Sequence, residues 1–149
     1  MNNIIWTLKA FAELNPFELY QILRLRSEVF VVEQNCVFLD MDNLDAKSLH
    51  LQGRANGELI AYVRILPPGL AYEEPSIGRV ITSPTARRIG AGKALMKKAI
   101  EETVSIYPNK SIKIGAQLYL KKFYEGFGFE QCSEIYLEDG IEHIKMLRK

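Results

Sequence analysis

Apolar and polar positions alternate loosely over Ile4 to Ala10, the period-two pattern of a strand with one face buried. Asn15-Pro16-Phe17-Glu18 then marks a helix start: a capping side chain, a proline tolerated in the first turn, and a glutamate three residues past the cap. The helix is predicted to run to about Phe30, with Phe17, Tyr20, Leu23 and Ser27 along one side. Val37 to Lys47 keeps neither period and reads as a loop with a short helix. Two strand-like runs, Ser48 to Ala55 and Glu58 to Leu66, flank Asn56-Gly57, a hairpin turn in which both positions need positive φ. Pro67-Pro68-Gly69 ends the second run.

Ser76 to Thr82 is a further strand, broken by Ser83-Pro84. From about Gly90 to Tyr107 the apolar positions Leu95, Met96, Ala99, Ile100, Thr103 and Tyr107 keep helical spacing. Ser111 to Ala116 is a short buried strand, and Leu118 to Phe127 a short amphipathic helix closed by glycines. Two last strands, about Glu130 to Leu137 and Ile141 to Leu147, flank the turn Asp139-Gly140. Hairpins mixed with strand–helix–strand crossovers imply a mixed sheet covered by helices.

Composition adds mainly exclusions. The 149 residues suit one domain, residues 1–149, and carry a net charge of +1 from 19 basic and 18 acidic side chains. No polyanion-binding excess is present, so nucleic acid is not expected as a partner. No apolar run approaches the roughly 18 residues of a membrane span, and the N-terminus lacks the pattern of a signal peptide. Cys36 and Cys132 stand far apart, and the two histidines offer no ligand spacing, so neither a disulfide framework nor a metal is expected. A cytoplasmic protein, monomer or homodimer, fits these features. The charges are nevertheless segregated. Glu28 to Asp45 holds five acids and no base, while Ser83 to Ile100 holds five bases and no acid.

The basic stretch carries the chemistry. S-P-T-A-R-R-I-G-A-G-K (Ser83 to Lys93) joins a strand to a helix through glycines, which brings free backbone N–H groups and the positive helix end to one place. A phosphate-binding P-loop requires glycine where Arg87 stands and Ser or Thr where Ala94 stands. A dinucleotide fingerprint starting at Gly90 meets Leu95 where Gly or Ala is needed. The stretch Arg87-Arg88-Ile89-Gly90-Ala91-Gly92 instead matches [QR]-x-x-G-x-[GA] and resembles the pyrophosphate-cradling motif of the GNAT superfamily of acyl-CoA-dependent N-acetyltransferases. The likeness extends along nearly the whole chain and includes F-Y-E-G-F-G-F (Phe123 to Phe129). The family's usual Asn is replaced at Gln117 and its usual Ala at Leu120. L-R-L-R-S-E-V-F-V-V-E-Q-N-C (Leu23 to Cys36), with S-L-H-L downstream, is similar to the ElaA-like branch.

The resemblance implies an α/β (α+β) fold: a mixed, mostly antiparallel twisted sheet of about six to seven strands flanked by about four helices. It implies acetyl-CoA as co-substrate, with the amides of Ile89, Gly90, Ala91, Gly92 and Lys93 on the pyrophosphate. Arg87, Arg88 and Lys93 would add charge-assisted contacts. Main-chain groups of Val80 and Thr82 would pair with the pantetheine amides, an N–H near Val80 or Ile81 would serve the oxyanion, and Gln117 would stand near the cofactor. Tyr124 takes the family's thiol-protonating position, packed beside Phe123 and Phe127.

Acyl transfer to an amine also needs a base. Glu33, at the end of the first helix, and His50, on a strand, are the candidates; His143 is the weaker histidine. The acidic window would present Glu33, Asp40 and Asp42 to the acceptor, so a cationic small-molecule or peptide amine is favoured. Direct attack in a ternary complex is expected. The alternative is a non-catalytic acyl-CoA-binding module of the same fold.

Overall fold

The computed structural model describes residues 3–149. β1 (Ile5–Ala10) is followed by α1 (Pro16–Arg26), then β2 (Leu49–Ala55), β3 (Glu58–Leu66) and β4 (Ser76–Thr82). A 3-10 turn (Pro84–Ile89) leads into α2 (Ala91–Ile106), then β5 (Ile112–Gln117) and α3 (Lys121–Glu125). β6 (Glu130–Gln131), β7 (Tyr136–Glu138) and β8 (Ile141–Arg148) close the chain. β1-β2-β3-β4 form one antiparallel sheet, and β5, β8, β6 and β7 a second, with β8 pairing the other three. The mixed architecture expected from the pattern is present. It is divided into two sheets, because β4 and β5 touch at one end and part at the other.

Local signals explain most elements. Asn15 accepts the Glu18 amide at 2.8 Å and Glu18 accepts the Asn15 amide at 3.0 Å, a reciprocal cap that starts α1. Asn56 and Gly57 adopt φ of 54° and 78°, and Asp139 and Gly140 adopt 50° and 78°, so both hairpins turn as their dipeptides require. α2 buries Leu95, Met96, Ala99, Ile100 and Thr103, the predicted face, against β3 and β4. Leu95 is fully enclosed, so truncation to alanine there costs about 2–5 kcal/mol.

Three expectations are corrected. The first helix does not run as an α-helix to Phe30: after Arg26 it widens into a π-helical segment, Ser27–Glu33, with Gln34 and Cys36 amides bonded five residues back to Val29 and Val31. Its buried stripe is Ile22, Leu25, Arg26 and Val29, which packs on Leu59, Tyr62 and Ile81. Phe17 and Tyr20 are 80% and 71% exposed instead. The stripe was hidden because it contains an arginine, 0% exposed, whose charge is met by Asp40 and Asp45. The strand expected over Glu130 to Leu137 breaks into β6 and β7, where the Lys145 amide bonds the Ser133 hydroxyl at 2.8 Å instead of a backbone carbonyl. The helix expected over Leu118 to Phe127 is a 3-10 turn (Leu118–Leu120) followed by the shorter α3.

Candidate active site

β4 and β5 are connected by α2, a crossover, and run side by side. The Lys113 amide donates to the Pro75 carbonyl at 3.1 Å where both strands begin. Beyond that point β4 keeps only β3 as a partner and β5 only β8, and a cleft of about 890 Å³ opens between them. One wall is Ile77 to Thr82, the other Ile114 to Gln117. The splay has a local cause. Between the pairs Arg64↔Gly78 and Tyr62↔Ile81, two residues of β4 oppose one of β3, and Arg79 sits there at φ 51°. Such a bulge bends its strand and re-aims its main-chain groups.

The strain of a non-glycine residue in that region is held by Asp40. Its carboxylate accepts from Arg79 Nε at 2.8 Å, and its carbonyl from Arg79 Nη2 at 2.7 Å. Asp40 also accepts from Arg26, Asp42 from Arg64 in a two-pronged contact at 2.8 Å, and Asp45 from both Arg26 and Arg64. Burial alone would raise the Asp42 carboxyl, but Arg64 brings it down to about 2. Three arginines from α1, β3 and β4 thus neutralise most of the acidic window. Asp40 does not face an acceptor, and Asp42, on the cleft wall, is already ion-paired. That corrects the basis given for a cationic acceptor.

The glycine-rich turn stands at the open end. Gly90 adopts φ 76° and ψ 17°, the left-handed conformation glycine takes without penalty, and caps α2. A Cβ built on Gly90 or Gly92 meets no protein atom within 4 Å. Glycine in the first turn of a helix costs up to about 1 kcal/mol relative to alanine, so room outside the chain, not packing within it, accounts for Gly92. The first amides of α2 have no intrahelical partner. An anion approaching backbone amides fits such a cradle. Arg87 and Gly92 line the cleft; Arg88 and Lys93 are exposed beside it. The Ala91 side chain belongs to the core, which leaves only its amide for a ligand.

Val80, Ile81, Thr82, Gln117 and Tyr124 all line the same cleft. Gln117 donates to Gln34 at 3.4 Å and so bridges β5 to the end of the π-helical segment. Tyr124, 6% exposed, packs edge-on against Phe123 and Phe129, with Phe127 packed on Phe123 instead. Burial pushes its hydroxyl up to about 12, so it stays protonated and able to donate.

The two expected bases fare differently. Glu33 lines the cleft, but its carboxylate is held below the usual range by hydrogen bonds from Arg87. His50 is corrected outright. It is 1% exposed and stands away from the cleft walls, among Phe11, Tyr62 and Asp45. Burial lowers its pKa; the neutral ring donates from Nε2 to the Asp45 carbonyl at 2.9 Å and accepts the Tyr62 hydroxyl on Nδ1 at 2.7 Å. Neither nitrogen has a free lone pair, so His50 is a packed core histidine. Passed over in the sequence, Phe38, Leu39, Glu138 and Asp139 line the cleft with His143. Strand alternation puts His143 on the Gln117 face, but only the β5–β8 register brings the two side by side. Among the described residues no His, Cys, Asp and Glu group is placed to hold a metal, and no helix is long and apolar enough to cross a membrane.

A splayed strand pair, a bulged edge and a glycine-capped helix N-terminus define a nucleotide-thioester cleft of the acyl-CoA transferase type. Known proteins agree with this class. Residues 28–149 match the acetyltransferase (GNAT) domain family. The chain is 43% identical over 148 residues to protein ElaA of Escherichia coli K12, covering 98% of this chain and 97% of that one. Its structure is similar to the crystal structure of an acyl-CoA N-acyltransferase from Pseudomonas aeruginosa, with a TM-score of 0.94 at 40% identity over 99% and 100% of the two chains. Against crystalline Escherichia coli ElaA the TM-score is 0.92 at 42% identity, again over 99% and 100%. This chain belongs to the GNAT acetyltransferase family, in its ElaA-like branch, and is an acyltransferase with an acyl-CoA co-substrate.

Proposed function

We propose that the protein transfers an acetyl group from acetyl-CoA to a primary amine by direct attack within a ternary complex. The observation that carries this reading is the shared cleft: Gly92 with open space at the α2 N-terminus, a bulged β4 edge and Tyr124 all border one cavity. The amides at the start of α2, aided by Arg87, Arg88 and Lys93, hold the pyrophosphate. The β4 edge at Val80 and Thr82 aligns the pantetheine arm, with a neighbouring amide available to the oxyanion. Tyr124 gives its proton to the departing sulfur.

The acceptor enters from the end bordered by Phe30, Phe38 and Leu39 on one side and Glu138 and Asp139 on the other. An amine with an apolar body and a cationic head suits those walls. A preference for cations therefore rests on Glu138 and Asp139 in place of Asp40 and Asp42. The test is to follow free thiol release from acetyl-CoA with benzylamine, phenethylamine, lysine and a short peptide with a free N-terminus, identifying the amide by mass. Amine-dependent thiol release supports the reading. Acetyl-CoA binding with no transfer to any amine contradicts it.

A further inference from the structure

We propose that His143 is the general base that takes the proton from the acceptor ammonium, with Glu138 holding the imidazolium that results; this rests on the acyl-transfer reading above. His143 stands on β8, 8% exposed, and its side chain forms part of the cleft wall. Gln117 of β5 is directly opposite it on one side and Tyr136 of β7 on the other, so the ring lies in a row of side chains across three strands. Tyr136 stacks on it at 5.8 Å with an interplanar angle of 28°, which restricts its rotation.

The proton on the ring is placed by one contact. His143 Nδ1 lies 2.7 Å from the Ile141 carbonyl oxygen, which can only accept, so Nδ1 carries the hydrogen and the lone pair of the neutral ring is on Nε2. Glu138 Oε2 is 3.6 Å from Nε2. That is too long for a hydrogen bond and close enough for charge attraction once the ring is protonated. The groups facing His143 are therefore Glu138 and Tyr136 of β7, Asp139 in the following turn, Gln117 of β5, and Lys145 on its own strand, its ammonium 4.6 Å over the Tyr136 ring. Cys36 approaches from the loop after the π-helical segment, its thiol 3.4 Å from the Asp139 carbonyl, and borders the acceptor end.

Of the carboxylates on the cleft, Glu33 is engaged by Arg87 and Asp42 by Arg64, which leaves Glu138 and Asp139 beside the ring. An imidazole is also the stronger base, ordinarily about two pK units above a carboxylate. In the step, Nε2 takes one proton from the ammonium, directly or through one water. The amine nitrogen then bonds to the thioester carbonyl carbon. The C–S bond breaks, Tyr124 protonates the sulfur, and the proton left on nitrogen passes through solvent to the tyrosinate. The imidazolium releases its proton to bulk water, so one proton leaves per turnover.

The test is kcat/KM against pH with acetyl-CoA and an amine from the panel above, for wild type, His143→Gln and Glu138→Gln. The expected result for His143→Gln is a fall of about 10²–10³-fold near pH 7, loss of the wild-type acid limb, and recovery towards wild type as the amine deprotonates itself at high pH. Acetyl-CoA affinity is expected to be unchanged. Glu138→Gln, at an exposed position, should move the wild-type acid limb downwards and so decides the matter even if His143→Gln does not fold. A wild-type profile in a folded His143→Gln protein, or an unmoved limb in Glu138→Gln, overturns the assignment while leaving the transferase reading intact. No turnover by wild type with any amine overturns both.

Discussion

Arg87 and Glu33 form a two-pronged ion pair at the cleft, with Arg87 Nη1 donating to Glu33 Oε2 at 2.8 Å and Nη2 bonding Oε1. The first residue of the anion-binding motif is thus engaged by the carboxylate that the sequence offered as a base. Both side chains are about 40% exposed, so the pair contributes at most about 1 kcal/mol. In the proposed complex an incoming pyrophosphate competes with Glu33 for Arg87. Glu33→Ala is therefore expected to tighten acetyl-CoA binding about 2–5-fold at low salt, and less at high salt. Isothermal titration checks this, and a tenfold or greater loss of turnover would return Glu33 to the catalytic machinery.

The arginine–aspartate network makes stability depend on acid. The Asp42 carboxyl is depressed from 3.8 to about 2, and Asp45 is depressed too, burial opposing and the arginine hydrogen bonds prevailing. A depressed folded value means stability that is present above the unfolded pKa and lost as pH falls through the folded one. Asp42→Asn should therefore cost about 1–2 kcal/mol at pH 6, after solvent screening, and the difference from wild type should close between about pH 4 and pH 2. Denaturant midpoints across that range measure it. A pH-independent difference would mean that Asp42 acts through packing alone.

Tyr124→Phe keeps the ring and its edge-on contacts with Phe123 and Phe129 and removes only the hydroxyl. A coenzyme thiol of ordinary pKa, about 8.5, is a tolerable leaving group, so the donor's benefit sits at the low end for general acids. The expected fall in kcat is about 10–100-fold with acetyl-CoA affinity unchanged. Pre-steady-state thiol release measures it, and an unchanged chemical step would reduce Tyr124 to a packing aromatic.

How far the fold and site could be read from the chain depends on whether each signal was local. Asn15-Pro16, Asn56-Gly57, Asp139-Gly140 and the turn through Gly90 are specified by neighbours in sequence, and the structure has each as expected. The buried face of α1 was not legible, because Arg26 is compatible with burial only through Asp40 and Asp45, 14 and 19 residues away. The same pairing made an acidic run look like a binding surface when it is largely an internal staple on the β4 bulge. The two histidines could not be told apart in the chain for a similar reason. Both lie on strands, and only the register and the enclosing elements tell a sealed ring from one that borders the cleft.

Acetyl-CoA is expected to bind in the β4–β5 cleft with its pyrophosphate against the first turn of α2, and Gly92 is where that placement is checked. Its Cβ position is open and its φ is not positive, so substitution there leaves the fold unstrained. Calorimetric titration with acetyl-CoA should give one site per chain for wild type. For Gly92→Val, shown to be folded by its thermal melt, affinity should fall by more than about tenfold, a loss above about 1.4 kcal/mol. Equal affinity for the two proteins would contradict the placement.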